Sequence, residues 1–495
     1  MNTFLKYSSS ALLLGLGLLG CQPEMHSPKY DAGTADFSKY IAVGNSLTAG
    51  FSDGGLYLEG QVYSYPKILS EQFANVGGGA FPQAYFSDAQ SNGSGYLRLV
   101  GFTTPAPPDE PSPITANVTT NLAVRGVVNT RTNPALPVYT RVAATDVFNN
   151  YGVPGIRMAD VETAGYGNAS STGGTFLNPT PIFNPYFERL LPANTNDTYR
   201  ARVVATNPTF FTYWLGNNDV LGYATSGGVS PITATSTFSD INSRFIDDLT
   251  ARGAKGLVST IPDVTTIPFF TTVGPTFRRT LTRNNVPGIV ITTGAFSLTA
   301  PITRRSIPTT DIKDPALGGN QLFTLTAAPY LPLFGRPGGK AWRDVFAQLR
   351  PNLPPGTPLS AFLLSQGIDT LQVFGASAGN PIPTTLVLDD AEQGVARTAT
   401  NEYNNALRTK AAAKGLALFD SNTFFSGVAQ NGFAANGVTN TASFITGNLF
   451  SLDGVHPTPR GYAVIANEMI KAINAQYSAS IPFVNPNAYR GVRIP

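Results

Sequence analysis

Short apolar runs alternate along this chain with segments of helical period, and that alternation restricts it to an α/β fold. Residues 40–43, 210–215, 255–262 and 416–419 are apolar runs of strand length and read as buried strands. Between and after them come amphipathic segments. In residues 64–73, Ser64 can cap a helix, Pro66 sits in its first turn, and Ile68, Leu69 and Phe73 are apolar. In 237–253, Phe238, Ile241, Phe245 and Leu249 share one face, Thr237 can cap the start and Gly253 can stop the helix. In 391–415, Val395, Ala399, Tyr403, Ala406 and Leu407 recur at helical spacing. After Pro459 the set is Tyr462, Ile465, Ala466, Met469 and Ile473. Strand and helix in strict alternation predict a mainly parallel sheet. Ligands of such sheets bind beyond the carboxyl ends of the strands. Three polar turns stand where they can meet there: Gly44-Asn45-Ser46, Gly216-Asn217-Asn218-Asp219, and the loop holding Asp453 and His456.

The remaining sequence sets the boundaries. The chain has 495 residues, 42% hydrophobic and 13% charged, enough apolar material for a sizeable core. Residues from about 81 to 148 and 264 to 385 are rich in Pro, Thr, Gly and Asn without sustained helical period, and read as two long loop-rich insertions. A formal net charge of +3 with no Lys/Arg run offers no electrostatic case for nucleic acid. At the N-terminus, Lys6 precedes an apolar run from Ala11 to Leu19, shorter than the ~20 residues a spanning helix needs. It fits the apolar region of a secretory signal over residues 1–20. "LLGC" resembles a bacterial lipobox, which implies lipidation of Cys21 and a polar tether over 21–36. Cys21 is the only cysteine, so the chain has no intramolecular disulfide and no Cys nucleophile elsewhere.

Histidine is as scarce: His26 falls in the tether, and His456 is the only other. Any imidazole chemistry in the folded part belongs to His456. Ser46 is the candidate nucleophile, and a serine hydroxyl needs an adjacent base. His456 suits that role because its unperturbed pKa is roughly 6.5. Asp453, three residues earlier, can reach the other ring nitrogen and fix the tautomer. Acyl transfer also needs donors for a developing oxyanion. The backbone N–H of Ser46, the Asn218 amide and the backbone N–H of Gly155 are the candidates. Each turn alone is equally what a plain strand-to-helix turn or a helix cap looks like. Their order, their place at strand ends and the single histidine make them a set. With one His in the fold and no Cys cluster, there is no zinc-type ligand set, and no metal or cofactor is expected.

These segments resemble, in order, the blocks of the SGNH, or GDSL-type, hydrolases. "GNSLTAG" matches the first block, with Ser46 as nucleophile. "VPGIRMADV" resembles the second, with Gly155 as oxyanion donor. "WLGNNDV" matches the third, with Asn218 as oxyanion donor, and "SLDGVHPTPRGY" the last, with Asp453 and His456 completing a triad. One departure is Asn45, where the family motif has Asp. The resemblance runs from about residue 37 to 473 outside the two insertions. It implies a three-layer α/β/α, flavodoxin-like domain over 37–478, followed by a tail over 479–495. It implies carboxylic ester hydrolysis through an acyl-enzyme, with no cofactor.

The acid and the alcohol stay open. An esterase or lipase would use an apolar acyl pocket, to which Phe210, Phe211, Tyr213, Trp214 and the second insertion can contribute. A carbohydrate O-acetylesterase would use a shallow cleft lined by Tyr and Asn, which the first insertion can supply. A lipid-anchored binding protein without activity is the non-enzyme alternative. The expected partners are a lipid or acylated-glycan ester and, through the anchor, a membrane. Lipoproteins of this kind, with Gln22 after the Cys, imply a cell-envelope location at the outer membrane.

Overall fold

Ile41, Ala42 and Val43 are wholly buried, as are Phe210, Phe211, Tyr213 and Trp214. A strand with no exposed face belongs to the middle of a sheet covered on both sides. That is the architecture of the computed structural model, which describes residues 29–104, 111–128, 135–143, 145–169, 183–193, 195–350 and 353–495. Five strands, β1 (Tyr40–Gly44), β2 (Asn150–Gly152), β3 (Phe210–Trp214), β4 (Lys255–Ser259) and β5 (Ala417–Phe419), form one parallel sheet in the order β5-β4-β3-β1-β2. Register pairs Gly44 with both Gly152 and Trp214, and Phe419 with Ser259. The strands therefore finish together, and the turns that follow them share one edge.

Alternate residues feed two cores. Ile41, Val43, Phe211, Tyr213 and Val258 pack against one pair of helices; Tyr40, Ala42, Phe210, Trp214, Leu257 and Phe419 pack against another. Helices of the main body include α1 (Ser46–Ala49), α2 (Tyr65–Phe73), α3 (Asn217–Thr225), α4 (Thr235–Thr250), α5 (Asp390–Ala413) and α6 (Pro459–Tyr477). Helices α4 and α5 cover the first face, α2 and α6 the second. The result is three layers around a parallel sheet.

The apolar stripes foreseen for α2, α4 and α6 are the buried ones. Two details of the sequence reading change. Thr237 lies inside α4, whose N-cap is Ala234 with no side-chain bond. Val395 of α5 is 44% exposed, and Ala396 is buried in its place. The inner stripe runs through Ala396, Ala399, Tyr403 and Leu407, and Val395 stands one residue off it. Strand β2 has three residues and little apolar character, so no local pattern marks it.

The insertions differ from each other. The described residues of the first form loops and short strands, with hairpins of Tyr96–Phe102 with Pro113–Val118 and of Val124–Val128 with Leu136–Tyr139. The second is not mainly loop. It carries helices Val273–Arg283 and Lys340–Leu349, a hairpin of Gly288–Thr293 with Thr303–Pro308, and its own core of Phe277, Leu281, Ile291, Phe323 and Phe374. Its frequent Pro and Gly hide periodicity that tertiary packing completes.

The expected tether and tail are both partly docked. Thr34 N–H donates to Tyr477 O at 2.8 Å, and Ala35 is buried. Ile481 is buried too, and Arg490 pairs with Glu59 at 2.8 Å. The signal segment, Cys21 and His26 lie outside the described residues. Among the described residues no helix is long and apolar enough to cross a membrane.

Candidate active site

Strand β1 ends at Gly44, where a Cβ would lie 2.0 Å from Thr48 Oγ1 and 2.8 Å from Trp214 O. Only glycine lets α1 turn back this tightly. Asn45 caps α1: its Oδ1 accepts the Leu47 N–H at 3.0 Å, while its Nδ2 donates to Asn217 Oδ1 at 3.0 Å. Both ends of one buried amide thus tie the serine turn to the turn after β3. Ser46 opens α1 and is 6% exposed.

The loop before α6 brings the other two groups. Thr458 caps α6 by accepting the Gly461 N–H, and Pro459 occupies the first helical position. This holds the start of the helix and, with it, the preceding His456. His456 Nε2 lies 2.8 Å from Ser46 Oγ, and Nδ1 lies 2.8 Å from Asp453 Oδ2. Asp453 also accepts the Val455 and His456 N–H groups on Oδ1 and the Gly54 N–H on Oδ2, each at 2.8 Å. Burial alone would raise its pKa. The imidazole charge and these hydrogen bonds outweigh burial and draw it down to about 2. An ionised Asp453 accepts Nδ1–H, which leaves the Nε2 lone pair to take the serine proton. Ser46 forms one relay with His456 and Asp453, which lie more than four hundred residues farther along the chain.

The sequence reading missed the segment that braces this relay. Phe51 lays its ring 4.6 Å from the His456 ring, centre to centre. Ser52 Oγ donates to Pro457 O at 2.9 Å, and the Asp53 N–H donates to Ser451 Oγ at 2.8 Å. Asp53 Oδ1 accepts the Leu452 N–H at 3.0 Å, and Oδ2 accepts Tyr57 Oη–H at 2.8 Å. Asp53 is 6% exposed, with φ +53°. Burial pushes its carboxyl up despite these donors. The one local signal was "SDGG" shortly after the candidate nucleophile, a turn-forming string with an acid in it.

In α3 each polar residue has a separate tie. Asn217 holds Asn45. Asn218 Nδ2 donates to Ile156 O at 2.9 Å, and Asn218 lines the same cavity as Ser46 and His456. Asp219 accepts the Met158 N–H at 2.7 Å and Thr233 Oγ1–H at 2.6 Å; its burial pushes the carboxyl up to about 6. Gly155 stands next to Ile156 on an exposed turn, outside the residues lining that cavity. Its φ is +81°, and a Cβ there would meet only Asn184 Nδ2 at 3.8 Å. Backbone conformation, not close approach, is what calls for glycine at this position.

Beside Ser46 and His456 opens a cavity of about 60 Å³. Leu47, Trp214, Leu221, Val264, Phe425 and Phe450 make its wall largely apolar. Of the four aromatics of β3, only Trp214 borders it; Phe210, Phe211 and Tyr213 belong to the cores. A more polar cavity of about 380 Å³ lies in the first insertion between residues 83–90 and 140–148, and shares no residue with this one. Among the described residues no group of three or more His, Cys, Asp or Glu is placed to hold a metal ion. No protein-family model matches the chain, and no curated protein matches its sequence.

Proposed function

We propose that this chain is a serine hydrolase of the SGNH, or GDSL, type that cleaves carboxylic esters through an acyl-enzyme on Ser46. The observation that carries the reading is the relay of two 2.8 Å contacts from Asp453 through His456 to Ser46, opening onto an apolar cavity. Ser46 Oγ attacks the ester carbonyl while His456 Nε2 takes its proton. The tetrahedral oxyanion is met by the Ser46 N–H and the second N–H of the Asn218 amide, whose first is engaged by Ile156 O. Gly155 N–H is the third donor of the reading; its exposed turn lies one residue from that carbonyl. His456 then passes its proton to the departing alkoxide. Water, deprotonated by the same nitrogen, hydrolyses the acyl-enzyme and restores Ser46. Asp453 stays ionised throughout and stabilises the imidazolium.

The resemblance supports the same assignment, since the four blocks occur in the family's order. An apolar wall favours the esterase or lipase reading over a carbohydrate O-acetylesterase. The lipobox-like "LLGC" supports a location in the cell envelope, with the enzyme anchored to the outer membrane through Cys21. The test is hydrolysis of p-nitrophenyl esters beside fluorophosphonate labelling. Ser46→Ala should abolish both, and His456→Ala should lower turnover by at least a thousandfold while the thermal transition persists. Near-normal turnover by either variant would sink the mechanism.

A further inference from the structure

The wall of the cavity follows the sheet edge. Ser46 follows β1, Trp214 ends β3, Pro262 and Val264 follow β4, and Phe425 lies on the helix Ser421–Asn431 after β5. With the order β5-β4-β3-β1, Phe425 is attached farthest from the nucleophile, and its ring centre is 6.1 Å from that of Phe450. Leu221 stands three residues after Asn218 in α3, on the same helical face. It is a second wall residue of the cavity. At about 60 Å³ the cavity is small beside the roughly 300–1,000 Å³ of most ligand pockets. We infer that this cavity is the acyl pocket and that Phe425, with Phe450, makes the enzyme favour short acyl chains over long ones.

The inference rests on the hydrolase reading and goes beyond it, because nothing in a Ser-His-Asp relay sets chain length. Each methylene that enters an apolar wall gains roughly fourfold in specificity. One that has no room gains nothing, and forcing it in displaces packed side chains. The expected kcat/KM profile for p-nitrophenyl esters therefore rises from acetate to butyrate or hexanoate, then falls at least tenfold by decanoate.

Two variants test the wall from opposite directions. Phe425→Ala should raise the decanoate-to-butyrate ratio of kcat/KM at least tenfold. Leu221→Trp, which fills space, should lower the hexanoate-to-acetate ratio about tenfold. Ratios within one protein are insensitive to the fraction folded, and fluorophosphonate titration of Ser46 counts the active sites. If Ser46 is labelled but the wild type takes palmitate as readily as butyrate, the chain-length inference is overturned and the hydrolase stands. The chain-length inference is equally overturned if neither variant moves its ratio. If Ser46 is not labelled and no ester of any length is cleaved, the hydrolase reading falls and takes the inference with it.

Discussion

Asn45 works at both ends of its amide, and this gives it more influence than its position beside Ser46 alone would. Asn45→Ala removes the α1 cap and leaves Asn217 Oδ1 without its donor. A destabilisation of about 1–2 kcal/mol is expected in urea unfolding, together with slower labelling of Ser46. Asn45→Asp restores the cap acceptor. The Asn217 amide can then turn its NH₂ toward the new carboxylate, so most of the loss should be recovered. If Asp behaves like Ala, the tie to Asn217 is not what holds the serine turn. Asp453 carries a pH prediction. Its pKa is about 2 in the folded chain against an ordinary 3.8. A depressed carboxylate pKa stabilises the fold above the ordinary value, and the contribution is lost as pH falls through the folded one. About 2 kcal/mol of stability should therefore disappear between roughly pH 4 and pH 2. Asp453→Asn should flatten that part of the stability curve. An unchanged slope would mean that Asp453 does not titrate as described.

The segment 51–54 and the loop 451–457 hold each other, and neither has regular structure of its own to fix its shape. Four hydrogen bonds join them directly: Ser52 to Pro457, Asp53 to Ser451, Leu452 to Asp53, and Gly54 to Asp453. Asp53→Ala leaves the Leu452 N–H and the Tyr57 hydroxyl without their partner. The expected result is a fall of at least tenfold in kcat with little change in KM, because the relay is loosened and the cavity beside it is not. A change confined to KM would show that the segment acts on substrate instead. Only the turn-forming "SDGG" marks Asp53 locally, and it does not say what the carboxylate holds, so the sequence reading passed over it. Ser46 and His456 were readable because each follows or precedes a recognisable strand or helix. The scarcity of histidine left no other base.

At the scale of the molecule, the second insertion is a body with its own core that also touches the site. The Phe269 N–H donates to Gly454 O at 2.9 Å, inside the loop 451–457, and Val264 and Ile267 line the cavity. Trp342 is wholly buried in a separate apolar cluster with Ile302, Phe362 and Ile368. Trp342→Ala should cost about 3–5 kcal/mol in that part. Limited proteolysis is then expected to cut within residues 286–385 while Ser46 still labels. Loss of labelling together with cleavage would show that insertion and sheet unfold as one unit.

The sequence by itself determined the α/β alternation, the stripes of α2, α4 and α6, and the residues of the relay. Strand burial, helical period and capping all act over a few residues, so they leave a local trace. Only the tertiary structure decided that three residues at 150–152 complete the sheet and that Val395 faces out while Ala396 faces in. It alone also decided that a compact core forms in a stretch rich in Pro and Gly, and that Asp53 steadies a loop 399 residues away. Each of these depends on which distant surface is available to bury an apolar group or to accept a hydrogen bond. That is a property of the folded whole and is not written in any short window of the chain.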